Sequence, residues 1–323
     1  MDLTTLGKQI VDGRRLTAND DLNYLVDCDL DALCACADYV REKIVGKRVD
    51  LCAIINARSG RCSEDCKFCA QSSRHAAKCD AYELLAEEEI LETCVARERD
   101  GVDRFAIVTS GKALDGKEFD RALRAFALMK QKTSVGLCAS MGFLTLDQLK
   151  QLKASGVTSY HHNVETSRRF FPQICTTHTF DQKIQTLQNA RAAGLRLCSG
   201  GIFGLGETWS DRIDMALTLA DLQVDSIPLN ALMPIPGTPL EKNRRLTEQE
   251  LLRIVAIFRL IVPTADIRLA AGRALMREDG KRAFCSGASA TITGDMLTTV
   301  ACATIKSDRA MLQDLGRVVP HVD

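Results

Sequence analysis

The chain has no excess of charge of either sign. Its 42 Lys and Arg balance 42 Asp and Glu, and no block of like charge stands out. Nucleic acids and anionic membranes normally call for a basic surface, so neither is expected as the main partner. Long apolar runs are also missing. The strongest candidate, Leu251 to Val262, carries Arg253 and Arg259 and is too short to span a bilayer. Met1 to Arg15 shows no apolar signal core, so the expected location is the cytoplasm. Low-complexity stretches and Pro/Gly/Ser linkers are absent as well, and nothing splits the 323 residues into obvious modules. With 46% hydrophobic and 26% charged residues, the composition fits a globular enzyme and excludes a disordered or fibrous chain.

Cysteine, in contrast, is plentiful. Fourteen cysteines in a reducing compartment do not form a disulfide framework. Some should bind metal or react, and the rest serve as small core residues.

One alternation runs along the chain, an apolar β-rich run followed by an amphipathic helix. The expected strands are Val49–Ile55, Arg104–Thr109, Ser134–Ser140, Ser159–Val164, Leu195–Ile202, Ser226–Leu232, Asp266–Ala270 and Ala288–Thr293. Between them lie helical patterns such as Phe180–Ala193, stopped by Gly194, and Leu251–Val262, stopped by Pro263. Strand–helix alternation implies a parallel sheet with right-handed crossovers. Eight units in this length match an α/β fold of the (β/α)8 TIM-barrel type, although periodicity alone leaves an open doubly wound sheet possible. Residues 1–45 read as an N-terminal helical extension and residues 46–323 as the barrel domain. Chemistry in such barrels sits in the loops after the strands, and the distinctive residues fall there.

The first strand leads into Cys62, Cys66 and Cys69 at CxxxCxxC spacing. A structural zinc takes four protein ligands, as does a ferredoxin cluster, so three thiolates leave one iron of a [4Fe–4S] cube open. Zinc, with Cys79 or another cysteine as fourth ligand, is the alternative. A second motif, Gly200 to Glu207, is Gly-rich and would be only a tight strand-to-helix turn if taken alone.

Together these motifs resemble the radical S-adenosylmethionine superfamily and, within it, the biotin synthase family. The family's blocks are matched in order by CSEDCKFCAQSS (Cys62–Ser73), HHNVETS (His161–Ser167), CSGGIFGLGET (Cys198–Thr208), PLNALMPIPGTPL (Pro228–Leu240) and IRLAAGR (Ile267–Arg273). The resemblance implies a [4Fe–4S] cluster on Cys62, Cys66 and Cys69 that binds S-adenosylmethionine and releases a 5′-deoxyadenosyl radical. Phe68, Gly204 and Glu207 would lie against the cofactor. Asn163 and Glu165 would face substrate and ribose, and Asn230 the substrate ring. Lys183 stands where the family usually has an Arg directed at the methionine carboxylate, and Glu165 where many members have Asp. The implied reaction inserts sulfur into dethiobiotin to give biotin. A flavodoxin or ferredoxin would donate electrons, and a homodimer is the implied assembly.

The resemblance further implies an auxiliary iron–sulfur cluster as the sulfur source. The family's [2Fe–2S] form uses cysteines on the second, third and fifth strands and an arginine on the seventh. Cys138, Cys198 and Arg268 match, but the second-strand position is Ala106, which cannot ligate iron. Cys175, in the loop after the fourth strand, is the expected replacement, in a [2Fe–2S] cluster or a four-iron variant. Arg268 could equally serve as an ordinary ion pair, because a guanidinium stays protonated and is a poor ligand. Cys52 and seven other cysteines receive no role, although Cys285 and Cys302 fall late enough to lie near the barrel. The rival readings are a related radical mutase or maturation enzyme, and a non-enzymatic iron–sulfur or zinc carrier.

Overall fold

The computed structural model describes residues 2–294 and 303–319, so Cys302 lies outside the described residues. Three N-terminal helices, α1 (Leu3–Val11), α2 (Tyr24–Asp27) and α3 (Leu30–Ile44), precede β1 (Asp50–Arg58). The chain then alternates through α4 (Glu87–Arg99), β2 (Arg104–Thr109), α5 (Gly116–Lys132), β3 (Gly136–Ser140), α6 (Leu146–Ala154), β4 (Ser159–His161) and α7 (Phe180–Ala192). It continues through β5 (Arg196–Cys198), β6 (Gly201–Phe203), α8 (Trp209–Asp221), β7 (Ser226–Ala231), α9 (Glu248–Ile261) and β8 (Asp266–Leu269). After β8 come 3-10 turns at Arg273–Leu275 and Arg277–Cys285, then β9 (Ala290–Ile292) and α10 (Ile305–Asp314).

All strand pairings are parallel, and the sheet closes on itself. β1 pairs with both β2 and β9, while Cys198 of β5 pairs with Ser226 of β7. β5 and β6 form one interrupted stave, so the ring has eight, and the open-sheet alternative is excluded. The interruption has a steric cause. A Cβ on Gly200 would sit 2.0 Å from the Pro228 carbonyl oxygen, and one on Gly201 2.3 Å from that of Glu165. Only glycine lets the fifth stave wedge between its neighbours.

Four of the outer helices begin with a Thr capping box: Thr145 with Gln148, Thr179 with Gln182, Thr208 with Asp211, and Thr247 with Glu250. Each box satisfies orphan N–H groups and fixes where the preceding loop must end. The loops that carry the candidate site are therefore anchored at both ends. α9 accounts for the apolar run Leu251–Val262. Buried on nearly every side, it packs between α3, α8 and β8. No helix among the described residues is long and apolar enough to cross a membrane.

Candidate active site

The loop after β1 is closed by backbone hydrogen bonds. Cys62 N–H donates to Gln71 O at 3.0 Å and Ser73 N–H to Cys62 O at 2.8 Å. The Gln71 side chain accepts from Gly60 N–H and Ser59 Oγ at 3.0 and 3.1 Å. This ring presents Cys62, Cys66 and Cys69, with half-buried Phe68 packed against the core.

The ring is stitched to the loop after β4. Lys67 N–H donates to Ile174 O at 2.9 Å, and the Asp65 carboxylate accepts from the N–H groups of Thr176 and Thr177 at 2.9 and 3.2 Å. Burial alone would raise the Asp65 pKa, but the hydrogen bond from the Thr176 hydroxyl, together with those from the N–H groups, holds it well below the usual carboxylate range. The stitching determines where Cys175 goes. Its Sγ lies 3.8 Å from Cys66 Sγ and 3.3 Å from His178 Nδ1, and His178 Nδ1 is 2.5 Å from Glu64 Oε2. Cys66, Cys175 and His178 are the one His/Cys/Asp/Glu group among the described residues gathered tightly enough for a single ion. The expectation was that Cys175 joins Cys138 and Cys198 on an auxiliary cluster; here its side chain is grouped with Cys66 and His178 and does not line the cavity that holds the other two. Asp65 and Thr176 pull it outward to the loop triad, away from the barrel interior.

Glu165 and Lys183 stand beside this loop. Glu165 has φ +73°, and its backbone is held by two hydrogen bonds: its N–H donates to Gly200 O at 3.1 Å and its carbonyl accepts from Ile202 N–H at 2.9 Å. One carboxylate oxygen lies 4.0 Å from Lys183 Nζ; the other is buried with no hydrogen-bond partner among the described residues. Burial pushes the Glu165 pKa up, opposed by the Lys183 charge. Lys183 is buried, with Nζ above the rings of Phe143 and Phe171 at 5.6 and 5.9 Å. An acceptor without a donor, next to a cation in an aromatic frame, suits a ligand that brings both hydroxyl and carboxylate groups. Glu207 is committed elsewhere. Its carboxylate accepts the N–H groups of Gly204 and Gly206 at 2.9 and 3.1 Å and pairs with Arg212 at 2.7 Å, so it shapes the Gly-rich turn from within.

Inside the barrel lies a cavity of about 240 Å³, walled by inward-facing strand residues. Cys138, Cys198, Asn163, Asn230 and Arg268 all line it, as do His161 and Cys52; Cys175 does not. Asn163 Oδ1 accepts Gly200 N–H at 3.0 Å. Asn230 donates to Gly201 O and accepts from Ala271 N–H, each at 3.1 Å, which leaves one N–H and one lone pair for a ligand. Burial raises the Cys138 thiol to about 11 and also raises Cys198. Burial likewise lowers His161, 3.3 Å from Cys198 Sγ, to about 4. Arg268 is fully engaged on one side: it pairs with Asp50 Oδ1 at 2.5 Å and donates to the backbone oxygens of Thr291 and Asp50 at 3.0 and 3.3 Å and to Ser226 Oγ at 3.2 Å. It acts here as an ion pair that brings positive charge to the cavity wall.

A cysteine loop follows the carboxyl end of β1, and a cavity with further thiols lies within the parallel barrel. Residues 57–219 match the Radical SAM superfamily, and residues 228–318 the Biotin and Thiamin Synthesis associated domain. The chain is 53% identical over 311 residues to a biotin synthase from Clostridium beijerinckii, covering 96% of this chain and 98% of that protein. It is 50% identical over 316 residues to a biotin synthase from Alkaliphilus metalliredigens, covering 98% and 99%. The chain belongs to the biotin synthase family. Its barrel also superposes on the crystal structure of methylornithine synthase with a TM-score of 0.84 over 97% of this chain and 96% of that one; at 21% identity this reports the fold alone.

Family membership makes the chain a radical S-adenosylmethionine enzyme with a [4Fe–4S] cluster, and sets aside the carrier reading. Sequence reasoning missed four residues of the site: Cys52, Asp50, His161 and His178. His161 lies in the HHNVETS block two residues before Asn163, so its inward phase could have been read there. Cys52 and Asp50 sit inside an apolar strand, where nothing local marks their side chains as facing a cavity.

Proposed function

We propose that the chain converts dethiobiotin to biotin by radical insertion of sulfur, with the loop and the cavity as the two halves of one active site. The observation that carries this reading is the cavity itself: the thiols of Cys138 and Cys198 and the Arg268 guanidinium line the interior of the barrel whose first strand leads into the CxxxCxxC loop. A carrier or a non-sulfurating radical enzyme has no need of thiols at that depth. When bound, a [4Fe–4S] cluster with S-adenosylmethionine on Cys62, Cys66 and Cys69 would supply the hydrogen-abstracting radical, and an auxiliary iron–sulfur cluster the sulfur.

The protein's own residues have defined tasks in this reading. The partnerless Glu165 oxygen accepts from ribose hydroxyls, and the Lys183 ammonium meets the methionine carboxylate, as a point charge without an arginine's bidentate fork. Asn163 and Asn230 present their remaining polar atoms to the ureido ring of the substrate. Apolar walls such as Ile54, Val108 and Ile292 exclude water, which protects a carbon radical from quenching. A flavodoxin or ferredoxin as donor, a homodimer and a cytoplasmic location belong to the same reading and rest on the family.

The test is anaerobic reconstitution with iron and sulfide, followed by strong reductant, S-adenosylmethionine and dethiobiotin. Biotin and 5′-deoxyadenosine are expected together. 5′-Deoxyadenosine without biotin would transfer the enzyme to another substrate.

A further inference from the structure

The cavity's ligand set is short of one thiolate at Ala106, and the structure holds an unused thiol next to that gap. β1 and β2 pair with Cys52 beside Arg104 and Ile54 beside Ala106, so Cys52 and Ala106 share the inward phase of two adjacent staves. Cys52, Ala106 and Cys138 form one buried cluster with Ile54, set apart from the main core. Cys52 is 7% exposed, and the one hydrogen-bond partner of its Sγ among the described residues is its neighbour's carbonyl, Ala53 O at 3.7 Å. Cys138 is as weakly committed, to Gly136 O at 3.8 Å. With Cys198, these place thiols on three walls of the same cavity.

We infer that Cys52 supplies the third thiolate of the auxiliary cluster, in place of the side chain that Ala106 lacks. This rests on the sulfur-insertion reading. The three sulfurs are not drawn within the 4.8 Å that a single ion needs, and the cavity of about 240 Å³ between them suits a multi-atom iron–sulfide cluster. Each thiol loses its proton to solvent as its iron–sulfur bond forms. Arg268 and Arg104, both held by Asp50 at 2.5 and 2.9 Å, bring compensating positive charge to the cavity wall. Cys175 is then free of this role, consistent with its place beside Cys66.

The experiment counts iron and acid-labile sulfide and records Mössbauer spectra in a Cys62→Ala/Cys66→Ala/Cys69→Ala background, where only the cavity can hold a cluster. That background is expected to retain iron and sulfide. Adding Cys52→Ser, which nearly keeps the side-chain volume, should lower both about tenfold or more, since even outer-sphere partners change metal affinity by about 10–100-fold. The melting temperature of the metal-free protein should stay unchanged, which separates ligand loss from misfolding. Ala106→Cys added to Cys52→Ala should restore the cluster, whereas Cys175→Ala should leave it intact. If Cys52→Ser keeps full iron with an unchanged spectrum while Cys138→Ser loses it, the Cys52 assignment is wrong and the sulfur-insertion reading survives. If the background itself is empty, the auxiliary-cluster reading fails and the assignment falls with it.

Discussion

At the residue scale the site is organised by one buried carboxylate. Asp50 is 2% exposed and binds both Arg268 and Arg104, so two guanidinium groups at the cavity wall share one counter-charge. Burial pushes the Asp50 pKa up, but the two arginines outweigh it and the net shift is downward. Removing the carboxylate would leave two cations in a poorly solvated interior. Asp50→Asn is expected to destabilise the metal-free protein by about 3–5 kcal/mol in urea denaturation. A loss below about 1 kcal/mol would mean that water reaches the pair and that Asp50 does not organise the wall. Legibility follows the same logic. CxxxCxxC is readable because ligand spacing is local, and the gap at Ala106 because a missing thiol shows in a matched position. Cys52 was not readable. Its thiol acquires meaning only from the inward phase of β1, and in Asp50–Arg58 the run DLCAIIN does not reveal which face is inside. The setting of Cys175 was not readable for a related reason: the carboxylate that holds it beside the loop belongs to Asp65, 110 positions away.

Elements obey more local rules, and their placement was correspondingly legible. The start of α9 shows why. Thr247 and Glu250 form a capping box, and Arg244 reaches the same carboxylate at 2.6 Å. The Arg244 hydrogen bond is the largest influence, ahead of burial, which opposes it; together with Thr247 it lowers Glu250 from 4.5 to about 2. A depressed carboxyl pKa contributes stability that is fully present above the unfolded value and lost as pH falls. The window therefore runs from about pH 4.5 down to about 2. Arg244 is 68% exposed, so solvent screening limits the contribution to about 1 kcal/mol. Glu250→Gln keeps the box geometry but cannot titrate. The stability of the metal-free variant should fall less steeply over that window than the wild type's, and parallel slopes would show that the cap carries no pH-dependent energy. Boxes of this kind and the stops at Gly194 and Pro263 are written in a few adjacent residues. The break between β5 and β6 is not, because Gly200 is required by the carbonyl of Pro228, which arrives from another stave. The segment after β8 also escaped, since its 3-10 turns replace an amphipathic helix and carry positive φ at Glu278 and Asp279.

At the scale of the whole molecule, closure is the property that periodicity could not supply. It depends on β1 meeting β9 and β5 meeting β7, contacts between segments far apart in sequence. The neighbouring β8–β9 pairing is reinforced by a buried bidentate pair. Arg273, at the end of the IRLAAGR block, binds Asp308 of α10 at 2.6 and 3.0 Å and also donates to Thr291 Oγ1 of β9 at 2.9 Å. One guanidinium thus ties the exit of β8 to β9 and to the final helix, and both partners are almost fully buried. Asp308→Asn would strand that cation while leaving every proposed cluster thiol untouched. It is expected to cost about 3–5 kcal/mol of global stability. Amide exchange should speed up in α10 and along the β8–β9 pairing before it does in β2 and β3, because the seam opens where its clamp is lost. Iron and sulfide per folded chain should stay at the wild-type value. Uniform exchange across all eight staves would instead show that the barrel opens as one unit and that the pair adds stability without guarding a particular seam.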